Sequence, residues 1–198
     1  MKLEKSQILT EAFALLNDVG IDKFNLRSLA NRLSVSATAL YWHFKNKDEL
    51  IGAMAKNIYD NTYEAIDHCD DWRLSLTILG RTLRKEMDNY RDSVRMIASA
   101  APTVVNSGQI AIQSQKISSS LVKNGLQQHI ALQYEAIVIS FVLGWMSYYQ
   151  NTAYNKYLSE MFNFEKSFDI GLDSLICGFE QQQNKSLSNS PAGEIVTR

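Results

Sequence analysis

Aromatic and cationic side chains alternate near the N-terminus, where residues 41–47 read YWHFKNK. A tyrosine hydroxyl, an imidazole and a lysine ammonium group are suitable partners for DNA phosphates. Directly before them, residues 36–39 read SATA. Such small side chains let a helix approach base edges closely, where methyl groups touch thymine and hydroxyls bond to bases or phosphates. These residue types at this spacing predict contact with double-stranded DNA.

A surface of this kind needs one helix in the major groove and a second helix that holds it across the phosphate backbone. Asn25 is a good N-cap for a helix over 26–33, and Ser36 is one for a third helix over 37–41 after a tight turn. The apolar positions of a first helix, Ile8–Val19, cover this pair. A plain helical hairpin shows the same spacing, and a packing role is the alternative for Trp42.

Net charge adds little to the DNA prediction. The whole chain carries a net charge of −1, and residues 1–50 hold seven Lys and Arg against six Asp and Glu, a net of +1. A strong basic footprint is therefore absent. Affinity for DNA must come from individually placed side chains.

The residue types that commonly do catalysis or bind metals are scattered along the chain. Neither the histidines (His43, His68 and His129) nor the two cysteines (Cys69 and Cys177) match a metal or redox spacing. No constellation for nucleophilic or metal chemistry results. We predict that the protein is not an enzyme and uses no cofactor and no metal.

Two prolines and nine glycines in 198 residues favour helices joined by short turns. Apolar periodicity and caps predict a fourth helix from Asn46 towards Tyr63 and a fifth, capped by Asp70 or Asp71, over 72–90. Further helices are predicted over 91–99, about 107–123, 130–152 and 164–182, with a partly ordered loop at 153–163.

The predicted fold class is all-α, in two domains. Residues 1–48 form a three-helix helix-turn-helix head, and the fourth helix, about 47–65, connects it to a larger helical body at 66–183. Residues 184–198 are expected to be a flexible tail, because the chain turns there to Ser, Asn, Pro and Gly.

The longest apolar stretch, Ala131–Tyr149, is interrupted by four polar residues and is predicted to be a buried helix rather than a membrane span. Charged residues lie too early in the N-terminal segment for a signal peptide. We expect a cytoplasmic protein without a membrane partner.

Residues 26–50, LRSLANRLSVSATALYWHFKNKDEL, closely resemble the DNA-binding signature of the TetR family. The resemblance implies base reading by Arg27 and the start of the third helix, and backbone anchoring by residues further along. The family's turn usually holds Gly, where a left-handed backbone is favoured, and Ser34 strains it slightly. Ala37 and Ala39 replace polar base-reading residues of tetracycline repressors, so the operator should differ from theirs. The predicted DNA-binding residues are Arg27, Ser28, Ser36, Ala37, Thr38, Tyr41, Trp42, His43 and Lys47.

The body is similar to the tetracycline-repressor branch of the same family in its last helix, residues 168–180, and at Tyr90-Arg91-Asp92 and Leu143-Gly144. That similarity implies a homodimer through about 130–152 and 164–182. The sequence favours it independently, because the helix over 130–152 is apolar nearly all round and needs partners on several sides. Gly171 and Gly178 lie on one face and would allow close helix approach, either across a dimer or within one chain.

Side chains that face inward yet carry polar tips predict an effector cavity in the body, mostly aromatic and apolar, as suits a small hydrophobic molecule. Core packing without a cavity is the alternative for each of them. The predicted ligand-binding residues are Tyr59, Tyr63, Leu83, Met87, Tyr90, Ile97, Gln113, Ile117, Phe141, Trp145 and Tyr148.

Tetracycline with magnesium is not the expected effector. By the resemblance, Ile97 stands where that branch has a metal-chelating His, Ala100 replaces a Thr, and Tyr63 replaces a ring-binding His. An Ile side chain cannot ligate Mg²⁺, which prefers oxygen ligands and water. The function predicted from the sequence is a ligand-responsive regulator, released from a palindromic operator by a different, more apolar effector. An activator, or an architectural protein without an effector, is the alternative.

Overall fold

A computed structural model describes residues 3–100 and 118–188, and within these ranges the regular structure is helical, with no strand. Nine helices of the described residues are numbered in chain order. They are α1 (Lys5–Lys23), α2 (Leu26–Arg32), α3 (Ala37–Tyr41), α4 (Lys47–Glu64), α5 (Trp72–Asp88), α6 (Ser93–Ser99), α7 (Gln128–Tyr149), α8 (Thr152–Met161) and α9 (Phe164–Ser188). Residues 118–123 are also helical. The all-α prediction is confirmed.

The head is built on one small core. Ile8 and Leu16 of α1, Leu29 of α2, Leu40 of α3 and Leu50 of α4 are completely buried. Because all four helices contribute to this one core, burying these side chains together fixes α2 and α3 against α1 and the start of α4. The helices of the head pack as α1 on α2, α2 on α3 and α1 on α4.

The body is a layered helical bundle in which α5 is central, since it packs on α4, α7 and α9. Gly80 of α5 permits this closeness. A Cβ built there would lie 2.9 Å from the Leu172 side chain of α9 and 3.3 Å from that of Val138 of α7. A larger residue at position 80 would require the Leu172 side chain to shift.

The structure differs from the sequence prediction at residues 153–163. The expected loop is wrong, because Asn151 caps α8 through its Oδ1, which accepts from the backbone N–H of Ala153 at 3.1 Å and of Tyr154 at 3.2 Å. The signal was present, because Tyr154, Tyr157, Leu158 and Met161 recur at helical spacing, although none of the residues of α8 is buried. At the other end of the body, α9 continues to Ser188, past Asn184 where we expected the tail to begin.

Among the described residues, α7 is the helix that is long and apolar enough to cross a membrane by length and composition. One such helix is weak evidence for a span, because core helices of globular proteins have the same property. Its inward stripe, which includes Val138, Val142 and Met146, is buried within this chain.

Candidate DNA-binding head and effector site

Local capping positions the two helices of the predicted DNA-binding motif. The Asn25 side chain accepts from the Ser28 N–H at 2.9 Å and begins α2, and the Ser36 hydroxyl accepts from the Ala39 N–H at 3.2 Å and begins α3. Between them Ser34 adopts a left-handed backbone with φ 56°. The turn therefore has the conformation that the family's Gly favours, and the Ser carries the strain of a Cβ in that region.

Most side chains of the α3 segment are exposed to solvent. Ala37 and Thr38 are exposed, Tyr41 is 52% exposed and Trp42 is 86% exposed. Leu40 is fully buried and holds the helix in place from behind. A large indole left in solvent has no packing role within this chain, which favours an external partner for Trp42.

The remaining predicted DNA-binding residues differ in how free they are. Arg27 is exposed on α2, whereas Ser28 and His43 are half-buried. Lys47 donates from Nζ to the backbone oxygen of Ile21 at 3.1 Å and lies 5.8 Å from the ring of Phe24. An ammonium group has three donors, so Lys47 holds the end of α1 and keeps donors for a phosphate.

Arg32, another cation of the head, is engaged in ion pairs and is not placed to read DNA bases. Its guanidinium bonds to the Glu11 carboxylate at 2.7 Å and also to Asp18. These ion pairs leave the net charge of the head unchanged, but they take this arginine out of contact with DNA. Contacts to DNA must be made by the few side chains around α3.

The head is joined to the body by contacts between the end of α1 and the start of α6. The Asp92 carboxylate accepts from the Ile21 N–H at 3.0 Å, and Asp92 itself has a left-handed φ of 55°. Gly20, with φ 73°, has no room for a side chain, because a Cβ there would lie 2.9 Å from Asp92 Oδ2. Arg95 binds both oxygens of Asp22, at 3.0 and 2.6 Å, and this bond lowers the pKa of Asp22.

The segment that follows α7 holds the turn between α5 and α6. The Gln150 side-chain amide, just after α7, donates to the backbone oxygens of Met87 and Tyr90 and to the Ser93 hydroxyl at 3.0–3.2 Å. The ring of Tyr90 stacks on Phe13 of the head with a centroid distance of 4.0 Å. A continuous set of contacts therefore runs from α7 through the start of α6 to α1.

The predicted ligand-binding residues differ in how far they are buried. Leu83, Met87, Ile97 and Trp145 are buried, whereas Tyr148 is 48% exposed. Tyr59, Tyr63, Tyr90 and Phe141 are half-buried, and Gln113 and Ile117 lie outside the described residues.

Two of these residues face α9 and are engaged there. The guanidinium of Arg84 lies 4.4 Å from the Trp145 ring and 4.7 Å from that of Phe168. The ring of Phe141 covers Gly171, where an added Cβ would meet it at 2.7 Å. Trp145 and Phe141 thus belong to packing between α5, α7 and α9, and Gly171 serves a contact within the chain.

Two surface clefts accompany this arrangement. One of about 470 Å³ lies in the head between α1 and the α2–α3 turn, beside Ser34. The other, of about 370 Å³, lies at the junction with the body and is lined by Asp22, Asp92 and Arg95 among others. Neither is lined by a predicted ligand-binding residue.

The sequence prediction missed one residue of the body. Glu135 of α7 is only 2% exposed, and neither of its carboxylate oxygens has a hydrogen-bond partner. Burial raises its pKa from 4.5 to about 8. The signal was present, because position 135 lies between Ala131 and Val138 on the inward stripe of α7, but we interpreted it only as a polar break in an apolar stretch.

An exposed short helix seated on a second helix, in an N-terminal head joined to a helical body, defines a helix-turn-helix DNA-binding protein. Residues 8–54 match the model of the bacterial regulatory proteins of the tetR family. The chain is 30% identical over 203 residues to the class G tetracycline repressor protein of Vibrio anguillarum, with 91% of this chain and 95% of that protein covered.

Two solved structures are similar over most of the chain. A variant of TetR from Acinetobacter baumannii AYE in complex with minocycline superposes with a TM-score of 0.73 at 30% identity, covering 91% of this chain and 98% of that one. BioQ with its natural double-stranded DNA operator gives a TM-score of 0.62 at 27% identity, with 89% and 98% covered. The chain belongs to the TetR family, and it is a DNA-binding transcriptional regulator.

Proposed function

We propose that the protein is a homodimeric repressor that binds a palindromic operator in the cytoplasm and is released from it by a small effector. The observation that carries this proposal is the exposed surface of α3 joined by specific contacts to the body. A related structure has bound DNA and another has bound minocycline. A regulatory role, rather than catalysis, accounts for a head and a body fused in this way.

In the proposed complex, α3 enters the major groove and α2 crosses the phosphate backbone. Arg27 and Ala37 face base edges, with Ser28 and Ser36 beside them. The side chains that anchor the phosphates are Thr38, Tyr41, Trp42, His43 and Lys47. The exposure of Tyr41 and Trp42 supports these roles, since both side chains project from the head without an internal partner of their size.

The outer faces of α7 and α9 support a homodimer. Ile137 of α7 is 43% exposed and Ile170 of α9 is 67% exposed. Gly144 and Gly178 face open space, with nothing within 4 Å of a Cβ built at either position. Apolar side chains beside small residues suit close helix packing, and a two-fold dimer places two heads roughly 34–36 Å apart, one turn of DNA.

The proposed release works through the junction between head and body. An effector that binds the body shifts the protein between two states only if it binds them unequally. Movement of α7 or α6 reaches the head through the bonds of Gln150 to the α5–α6 turn and of Asp92 to Ile21. Of the predicted ligand-binding residues, we place Tyr59 and Tyr63 at the effector.

The test is to select operator DNA from a random pool with purified protein and to measure its affinity at several salt concentrations. Tyr41→Ala and Lys47→Ala should weaken binding to all sequences alike, and Lys47→Ala should reduce the salt slope by about 1. Arg27→Ala should also relax base preference. Lys156→Ala, on the exposed helix α8, is the matched control. Absence of sequence-selective, salt-sensitive binding would end the proposal.

A further inference from the structure

Glu135 is an acid in a place built for apolar side chains. Ala131, Val138 and Val142 lie on the same stripe of α7 and are fully buried. Both oxygens of Glu135 are buried without a hydrogen bond. A carboxyl group in such surroundings lacks the partners that buried polar groups in native proteins nearly always have.

The arginines of α5 do not neutralise Glu135. The central helix α5, which packs on α7, carries Arg73, Arg81 and Arg84. These bind the carboxylates of Glu180, Asp169 and Glu165, all on α9, at 2.8, 3.0 and 3.1 Å. The three arginines of α5 are therefore engaged by carboxylates of α9, and Glu135 forms no ion pair among the described residues.

Tyr59 and Tyr63, one turn apart on α4, are the groups that accompany it. Burial raises the pKa of the Tyr63 hydroxyl, and the negative charges of Glu135 and Tyr59 raise it further. Burial also raises the pKa of Tyr59. Neither hydroxyl is hydrogen-bonded to another described residue. An unpaired acid beside two half-buried aromatic rings is the usual composition of a site for an organic cation.

We propose that Glu135 recognises the charge of the effector, and that the effector is an organic cation, a hydrophobic amine or quaternary ammonium compound. This inference rests on the proposed function and adds the substrate class to it. The cation supplies the counter-ion that Glu135 lacks, while the rings of Tyr59 and Tyr63 cover its apolar part. A neutral or anionic molecule of the same shape leaves the acid unpaired, and the site discriminates against it for that reason.

The experiment uses 4-phenylbutylamine and 4-phenylbutanol, two probes of the same carbon frame that differ in charge. Binding of each to the full-length protein is measured by titration calorimetry without DNA at about pH 9, where Glu135 is ionised and an alkylammonium group keeps its charge. The ammonium probe should bind about tenfold or more tightly than the alcohol, as expected for a hydrogen bond between charged groups. Glu135→Gln, which keeps the shape, and Glu135→Leu, which fills the volume, should both bring this ratio close to one.

Glu160→Gln is the matched control, because Glu160 is exposed on α8 and its loss should leave the ratio unchanged. The proposal is overturned if the amine does not bind the wild-type protein, if amine and alcohol bind equally, or if Glu135→Gln keeps the wild-type ratio. Operator binding is measured on the same preparations. Protein that binds operator but shows no charge preference refutes this inference alone, whereas protein that prefers the amine but binds no operator refutes the repressor function alone.

Discussion

Replacing Glu135 by glutamine should flatten the dependence of stability on pH. The unfolded chain releases the Glu135 proton near the ordinary pKa of 4.5, whereas the folded protein keeps it until about pH 8. Between these values the folded state holds one proton more than the unfolded state. The stability contributed by this difference is fully present below pH 4.5 and is lost as the pH rises to about 8.

The size of the effect follows from linkage. Within that window each pH unit costs about 1.4 kcal/mol of unfolding free energy for one proton. Between about pH 5.5 and about pH 7.5, the wild-type protein should therefore lose about 2–3 kcal/mol more than the Glu135→Gln variant. Other groups that titrate contribute equally to both proteins, so they cancel in the difference.

The assay is urea unfolding followed by tryptophan fluorescence at both pH values. Protein concentration is held fixed, because the proposed dimerisation would make stability depend on it. Glu160→Gln should follow the wild-type curve. Parallel curves for the wild type and Glu135→Gln would refute the reasoning, because they would mean that Glu135 is ionised in the folded protein at about the same pH as in the unfolded chain.

Three further predictions concern the turn, the junction and the proposed dimer. Ser34→Gly should raise the unfolding free energy by about 1 kcal/mol, because Gly adopts the left-handed turn without a Cβ clash; denaturant unfolding measures this, and a loss of stability would contradict it. Asp92→Ala should lower the unfolding free energy by about 1–3 kcal/mol, because the Ile21 N–H loses its acceptor; the same measurement tests it, and an unchanged value would show that the bond adds nothing. Ile170→Arg should convert a dimer into a monomer in light scattering, whereas Tyr154→Arg on α8 should not; an unchanged mass for the Ile170 variant would place the interface elsewhere.

The helices of the head were predictable because their ends are determined by local chemistry. Asn25, Ser36 and Asn46 cap α2, α3 and α4 in the structure through their own side chains. Asp71 does the same for α5. Each of these bonds joins a side chain to an N–H two or three residues along, so the sequence alone contains both partners. The left-handed turn at Ser34 was expected from the resemblance to the TetR family, whose turn usually holds Gly.

Features that depend on packing between helices were not predictable in the same way. The bond of Lys47 to the Ile21 oxygen joins residues 26 positions apart, and nothing in the local pattern indicates it. The packing of Trp145 on Phe168 and of Phe141 on Gly171 likewise joins residues far apart in the chain. Glu135 was overlooked because apolar periodicity shows which face of α7 is inward but not that an acid lies unpaired on it.

The junction and the DNA-facing surface use different residues of the head. The body is held through Phe13, Ile21 and Asp22, all on α1, whereas the side chains proposed to read bases begin at Arg27 and lie on α2 and α3. Substitutions that change which operator is read therefore leave the mechanical connection intact. Operator preference can therefore change, in evolution or by design, while the proposed effector still acts through the same contacts between head and body.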